Sequence, residues 1–197
     1  RVDVIYICSN AAIATQNVNR LNVSDTDGFS IATRLTYLPR QVRSLRKNKV
    51  NFISLTPGTA FDHARSRGGH ADERAILYRM LYDLPLAQNE RRRRLRVGLL
   101  NILQATAGKD NWRAKAKNLP AEDLDTDLSK AFRRAVLEDA ELYAALKEGC
   151  ERFARYRDYS RIPWEDSELR YDLIGKLRSK LASVCLSALE PDLVILD

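Results

Sequence analysis

The stretch Pro191-Asp192-Leu193-Val194-Ile195-Leu196-Asp197 reads as a short aliphatic strand running into a carboxylate. A strand that is apolar at consecutive positions is covered on both faces, which is the habit of parallel sheets flanked by helices. Left uncovered, its unpaired backbone is an association hazard, so it needs a neighbouring strand. The opening run Val2-Asp3-Val4-Ile5-Tyr6-Ile7-Cys8 is equally rich in strand formers and begins after a single arginine. The abruptness of both ends leads us to expect a segment of a larger protein, with the two distant runs pairing in one sheet.

Working inward, the first strand turns at Ser9-Asn10 into a helical pattern from Ala11 to about Leu21. There Ala12, Ile13, Val18 and Leu21 share a face, while Gln16, Asn17 and Arg20 point elsewhere. A polar loop through Ser24 to Gly28 precedes a second strand predicted over Ile31 to Leu38 and stopped by Pro39. A basic segment containing Arg40, Arg43, Arg46, Lys47 and Lys49 follows, then a third strand over Val50 to Leu55 that runs into Thr56-Pro57-Gly58-Thr59. Gly68-Gly69 predicts a flexible loop. Strands separated by long connections favour a parallel sheet.

From Ala71 to Leu189 the pattern is helical throughout. Ile76, Leu77, Met80, Leu81 and Leu84 form one apolar stripe, and Leu124, Leu128, Phe132 and Val136 another. Leu142, Leu146, Cys150 and Phe153 make a third, and Leu169, Leu173, Leu177, Leu181 and Val184 the longest. The predicted organisation is therefore an α/β unit formed by residues 1–70 and 190–197, interrupted by a large all-helical insertion at 71–189.

With 197 residues and 45% hydrophobic content, the chain can bury a substantial core. Lys and Arg outnumber Asp and Glu 33 to 26, a formal +7 that favours a polyanionic partner. Cys8, Cys150 and Cys185 are odd in number and widely spaced, which argues against a disulfide framework or a zinc site and fits a reducing compartment. No apolar run is long enough to span a bilayer, so no membrane partner and a cytoplasmic location are expected.

Two strand-to-loop junctions, at Ser9-Asn10 and at Thr56-Pro57-Gly58-Thr59, carry small polar residues where a parallel sheet presents helix N-termini. Such positions suit phosphate binding, although Ser9, Asn10 and Thr59 serve equally well as helix or turn caps. Taken with the closing Leu193-Val194-Ile195-Leu196-Asp197, the order of these motifs resembles the first RecA-like motor domain of superfamily 2 helicases and translocases, the group of DEAD-box and Swi/Snf-type enzymes. In that resemblance Val4 to Leu21 matches motif Ia, Thr56-Pro57-Gly58 matches motif Ib, and Asp197 opens motif II.

The resemblance implies a partial RecA-like sheet, ATP and Mg2+ as cofactors, DNA or RNA as partner, and a second RecA-like domain of the same protein. Asp197 would be the catalytic, magnesium-holding carboxylate. Ser9, Asn10, Thr56, Gly58 and Thr59 would grip a sugar-phosphate backbone, joined by Gln16, Asn17 and Arg20. The Gly-Lys-Thr phosphate loop of motif I is absent from these 197 residues, so the chain by itself is expected to be inactive as an ATPase.

The helical stretch adds Arg91-Arg92-Arg93-Arg94, with Arg96, Lys109, Arg113, Lys115 and Lys117 nearby. Four consecutive arginines cannot share one helix face. They suit a nucleic-acid phosphate track, or else a solvated basic helix offset by Glu122, Asp123, Asp125 and Asp127. Trp112 suits base stacking or a core anchor. The alternative function is a non-catalytic helical module that binds DNA or a protein through the arginine-rich face. Another phosphate-handling enzyme would need its own nucleophile or base, and His63 and His70 sit in a predicted loop without evident partners.

Overall fold

The computed structural model describes residues 2–10, 12–13, 16–17, 20, 29–32, 34–61, 68–86, 89–156 and 162–197. Four strands form one sheet: β1 (Val2–Ile7), β2 (Phe29–Ala32), β3 (Val50–Leu55) and β4 (Leu193–Leu196), in the spatial order β2-β3-β1-β4. Every neighbouring pair is parallel. The opening and closing runs therefore do meet, with Val4 opposite Leu193 and Ile7 opposite Leu196.

The register is fixed by polar groups that hydrophobic patterning does not reveal. Asp3 and Asn51 face each other across β1 and β3, both buried, and the Asn51 amide donates to Asp3 Oδ1 at 2.7 Å and to the Leu45 carbonyl at 3.0 Å. Slipping either strand by one residue would strand both polar groups among apolar neighbours. Asp192 fastens the entry to β4: its Oδ2 accepts from the Asp3 N–H at 2.8 Å and its own N–H donates to the Asp3 carbonyl at 2.8 Å.

Between β2 and β3 lies a correction. The second strand is Phe29–Ala32 rather than 31–38. Leu35–Tyr37 forms a 3-10 turn, and α1 (Leu38–Leu45) follows with Pro39 in its first turn. Proline starts this helix instead of stopping a strand, because a first-turn residue needs no N–H partner. After β3 come the short α2 (Pro57–Ala60) and six longer helices: α3 (Ala71–Leu81), α4 (Asn89–Gln104), α5 (Lys109–Lys117), α6 (Thr126–Glu138), α7 (Ala140–Phe153) and α8 (Trp164–Ser187).

The apolar stripes read from the sequence supply the core. Leu77, Leu81, Phe132, Val136, Leu146, Phe153, Leu173, Leu177 and Leu181 are fully buried. They join Ile5, Ile53 and Leu55 in one continuous apolar cluster, so the helices cover one face of the sheet. On the opposite face Tyr6 and Cys8 pack with Phe52 and Ile195. Ala12 and Ile13, expected on an apolar helix face, are exposed; Ala11, Val18, Leu21, the polar loop at 24–28 and His63 lie outside the described residues.

Buried cations tie the helices together. Arg74 sends its Nε to the Leu103 carbonyl at 2.8 Å, and its Nη1 to the carbonyls of Gly68 and Gly69, both at 2.7 Å. The Leu103 carbonyl sits in the last turn of α4, where no further helical N–H is available to it. Arg74 thus ties Gly68 and Gly69, where a flexible loop is predicted, to the last turn of α4. Asn101 does the same work for α7, donating to the carbonyls of Phe153 at 2.9 Å and Tyr156 at 3.0 Å. No described helix is long and apolar enough to cross a membrane.

Candidate functional site

A parallel sheet delivers the last residue of every strand to the same rim. The Cys8 N–H donates to the Leu55 carbonyl at 3.1 Å and the Asp197 N–H to the Ile7 carbonyl at 2.9 Å. Cys8, Thr56 and Asp197 therefore follow directly on three adjacent strands.

Asp197 is exposed, but its side chain is held. Tyr6, whose ring is buried between Phe52 and Ile195, donates its hydroxyl to Asp197 Oδ2. The Asn17 amide donates to the same Oδ2 at 3.0 Å and to the Tyr6 hydroxyl at 2.8 Å. Both donors engage Oδ2, which leaves Oδ1 without a hydrogen bond among the described residues. The bond to Asp197 raises the Tyr6 phenol above the ordinary tyrosine value; Asn17 opposes this and desolvation adds to it. The phenol thus stays a donor across the neutral range.

Tyr6 carries no motif signal. Only its strand parity, one residue before the carbonyl that receives Asp197, would have pointed to it. Asn17, expected to join the backbone grip, is the one member of that helical stretch among the described residues that is brought to the carboxylate.

The arrangement suits one divalent cation of the hard, oxygen-seeking kind. Among the described residues no group of three or more His, Cys, Asp or Glu is placed to hold a metal. Magnesium does not need one, since it keeps several waters and takes one or two carboxylates together with substrate phosphates. A carboxylate with one oxygen clear and the other oriented by two donors fits that use. No thiol competes for a nucleophilic role: all three cysteines are buried, and burial pushes Cys150 and Cys185 far above the usual thiol range.

The remaining rim residues divide. Ser9 is exposed at the turn; Asn10, also exposed, uses its Oδ1 to accept from the N–H groups of Ala12 at 2.9 Å and Ile13 at 3.4 Å. That is a helix cap, and it engages the amide oxygen. Gln16 and Arg20 are exposed. Thr56 is buried, and Gly58 is exposed with open space where a side chain would stand. The side chain of Thr59 lies outside the described residues.

The arginine run sits on a different element, at the start of α4, and its members separate by helical spacing. Arg92 and Arg96, one turn apart, both reach Asp83, at 3.9 Å and 3.6 Å. Arg96 also lies 3.8 Å over the Tyr82 ring and donates Nε to the Tyr82 carbonyl at 3.0 Å. Arg91 pairs instead with Glu151 of α7, while Arg93 and Arg94 are exposed. Trp112 is a core anchor and not a stacking platform: it is buried, with its indole N–H donating to the Leu100 carbonyl at 2.8 Å. His70, expected in a loop without partners, instead begins α3, with its N–H on Glu73 Oε2 at 2.6 Å and its ring 3.0 Å from Arg34.

Comparison of the chain with protein-family models, with curated proteins and with solved structures gives no match.

Proposed function

We propose that this chain supplies the magnesium-ligating carboxylate and one strand-gripping rim of an ATP-driven nucleic-acid motor of the superfamily 2 type, its sheet being part of a RecA-like domain. The observation that carries the reading is the seating of Asp197 beside Ile7 at the carboxyl rim of a parallel sheet, with Tyr6 and Asn17 both on Oδ2. Two consecutive polar devices would be wasted on an incidental acidic residue.

In this reading Asp197 would hold a magnesium ion, directly or through a water, and the ion would supply neutralisation of charge developing on the β- and γ-phosphates during hydrolysis. Tyr6 and Asn17 hold the carboxylate in one orientation, so that no reorganisation is needed when charge develops. The exposed Ser9 and Gly58 turns offer backbone N–H groups and close approach to a sugar-phosphate backbone, a sequence-independent grip. Closure of a second RecA-like domain over this rim couples hydrolysis to movement along the strand.

The experiment is a pair of measurements. In the protein that carries this chain together with a phosphate-binding loop, Asp197→Asn abolishes nucleic-acid-stimulated ATP hydrolysis and leaves nucleic-acid binding in place; retained turnover overturns the assignment. The 197-residue chain alone hydrolyses no ATP, and robust turnover from it would equally remove the reading. The arginine face of α4 is the specific observation that favours a second reading, a helical binding module without catalysis, which predicts nucleic-acid binding indifferent to Asp197 and to ATP.

A further inference from the structure

Between α4 and α7 runs a groove of about 500 Å³, lined by Arg91, Arg94, Leu95, Glu151 and Arg155. Its two walls are held at fixed separation. At Gly98 the helices cross so closely that an added Cβ would stand 1.8 Å from the Cys150 carbonyl oxygen. Leu95 is fully buried at the base of the groove. Arg91 and Arg94, three residues apart, point into it from α4, and Arg155 faces them from the turn that ends α7.

Charge in the groove is unbalanced. Among the described residues three guanidinium groups surround a single carboxylate, and Lys147 adds to the field at Glu151. Arg91 is hydrogen-bonded to Glu151, whereas the guanidinium groups of Arg94 and Arg155 have no hydrogen bond or ion pair among the described residues. The Arg91 bond, with Arg94 and Lys147 behind it, holds the Glu151 carboxyl below the ordinary range. A carboxylate docked on one arginine beside two unfilled ones is an internal stand-in for a larger, doubly hydrogen-bonding anion. Exposed Arg93 extends the cationic row beyond the space of one phosphate group.

We propose that this groove binds the phosphodiester backbone of a nucleic acid through Arg91, Arg94 and Arg155, with Glu151 as a counter-charge that gives up Arg91 when the strand arrives. The inference rests on the nucleic-acid partner of the motor reading but not on its ATP chemistry. It adds Arg155 to the contacts and removes Arg92, which belongs to Asp83. Phosphate contact by guanidinium forks gives affinity without sequence preference and a strong dependence on salt.

The test uses the full chain without nucleotide and labelled single-stranded and duplex oligonucleotides, with fluorescence anisotropy read across a salt series. The double variant Arg94→Ala/Arg155→Ala lowers the slope of log K against log salt by roughly 1.5 and weakens binding on the order of tenfold near 0.1 M salt. Arg134→Ala, which removes an exposed cation paired with Glu138 on α6, leaves both unchanged. Glu151→Gln tightens binding several-fold, an outcome that a merely structural role would not give.

The proposal is overturned if the double variant titrates like the parent chain, if Glu151→Gln weakens binding, or if no oligonucleotide binds. Polyglutamate binding as tightly as the oligonucleotides would reassign the groove to an acidic protein. Displacement of the oligonucleotide by millimolar inorganic phosphate would reduce it to a free-phosphate site. Because Asp197, Tyr6 and Asn17 are untouched, variants that titrate like the parent chain overturn the groove and leave the motor reading standing, whereas a parent chain that binds no oligonucleotide counts against both.

Discussion

Glu73 on α3 and Arg178 on α8 lie 105 residues apart in sequence, and their side chains meet at 3.3 Å in a site from which water is nearly excluded. The carboxylate also accepts from Thr36 Oγ1 at 2.6 Å, from the His70 N–H at 2.6 Å and from Arg34 at 3.3 Å. One acid thus joins the turn after β2, the start of α3 and the middle of the longest helix. Burial by itself would raise the Glu73 carboxyl, but Arg178, the His70 N–H, Thr36 and Arg34 together outweigh it and hold the group below the ordinary glutamate value.

A group depressed in the folded state stabilises above its unfolded value and ceases to do so as pH falls through its folded value. Stability of the chain should therefore decline as pH falls from about 4.5, the ordinary glutamate value, toward lower values. Glu73→Gln should cost about 3–5 kcal/mol near neutrality, because Arg178 is left buried without its counter-charge, and should flatten the acid limb. Urea unfolding over a pH series measures both; an unchanged acid limb would deny Glu73 this place.

Gly69 has φ +56°, and a Cβ there would stand 2.3 Å from Arg178 Nε. Gly69→Ala should destabilise by about 1–2 kcal/mol from the left-handed backbone alone, and by more because Arg178 must shift away from Glu73. Thermal unfolding of Gly69→Ala beside Gly68→Ala, whose added Cβ meets only the Tyr171 ring at 3.3 Å, should show the larger loss at position 69.

Alanine normally improves a helix interior by about 1 kcal/mol over glycine. At Gly98 the Cys150 backbone carbonyl occupies the space, whereas at Gly149 the nearest atom is Leu173 Cδ1 at 2.7 Å. A flexible side chain yields and a helix backbone does not. Gly98→Ala should thus lower the urea midpoint markedly and Gly149→Ala only slightly; equal effects would show that the helices can part.

The chain has two tryptophans, and Trp164 is 73% exposed while Trp112 is 1% exposed. In Trp164→Phe the remaining emission should be blue-shifted, poorly quenched by acrylamide and insensitive to oligonucleotide. Quenching of Trp112 by nucleic acid would restore it to the binding surface.

Tyr6→Phe keeps the ring that packs on Phe52 and Ile195 but removes the donor to Asp197. The chain should fold with little loss, since one partly exposed hydrogen bond is worth about 1 kcal/mol. Under the motor reading, nucleic-acid-stimulated turnover of the complete enzyme should fall roughly 10–100-fold, the usual cost of losing a partner that orients a metal ligand. Full turnover would mean that Asp197 needs no such support.

The strand at Val50–Leu55 and the helical seams through Phe132, Leu146 and Leu177 were legible because burial imposes a period on consecutive residues. Leu193–Leu196 forms the strand its aliphatic run predicts but is not covered on both faces as expected: Leu193, Val194 and Leu196 are exposed, since β4 is an edge strand of the sheet among the described residues. Pro39 misled because the same ring that ends a strand also begins a helix, and only the neighbouring backbone decides between them.

By itself the sequence determined the layer composition of this protein: a strand-bearing unit, a long helical stretch, and an aliphatic run ending in Asp197 that must find a partner, with the stretch from Phe29 to Leu45 misassigned. The tertiary structure alone decided that Tyr6 and Asn17 hold that carboxylate, that Arg94 and Arg155 share a groove while Arg92 turns to Asp83, and that Glu73 answers Arg178. Hydrophobic burial is a sum over many residues and leaves a repeating trace along the chain. A hydrogen bond or ion pair depends on two groups meeting within a few ångströms, and nothing in the local spacing of either residue records where the other will be.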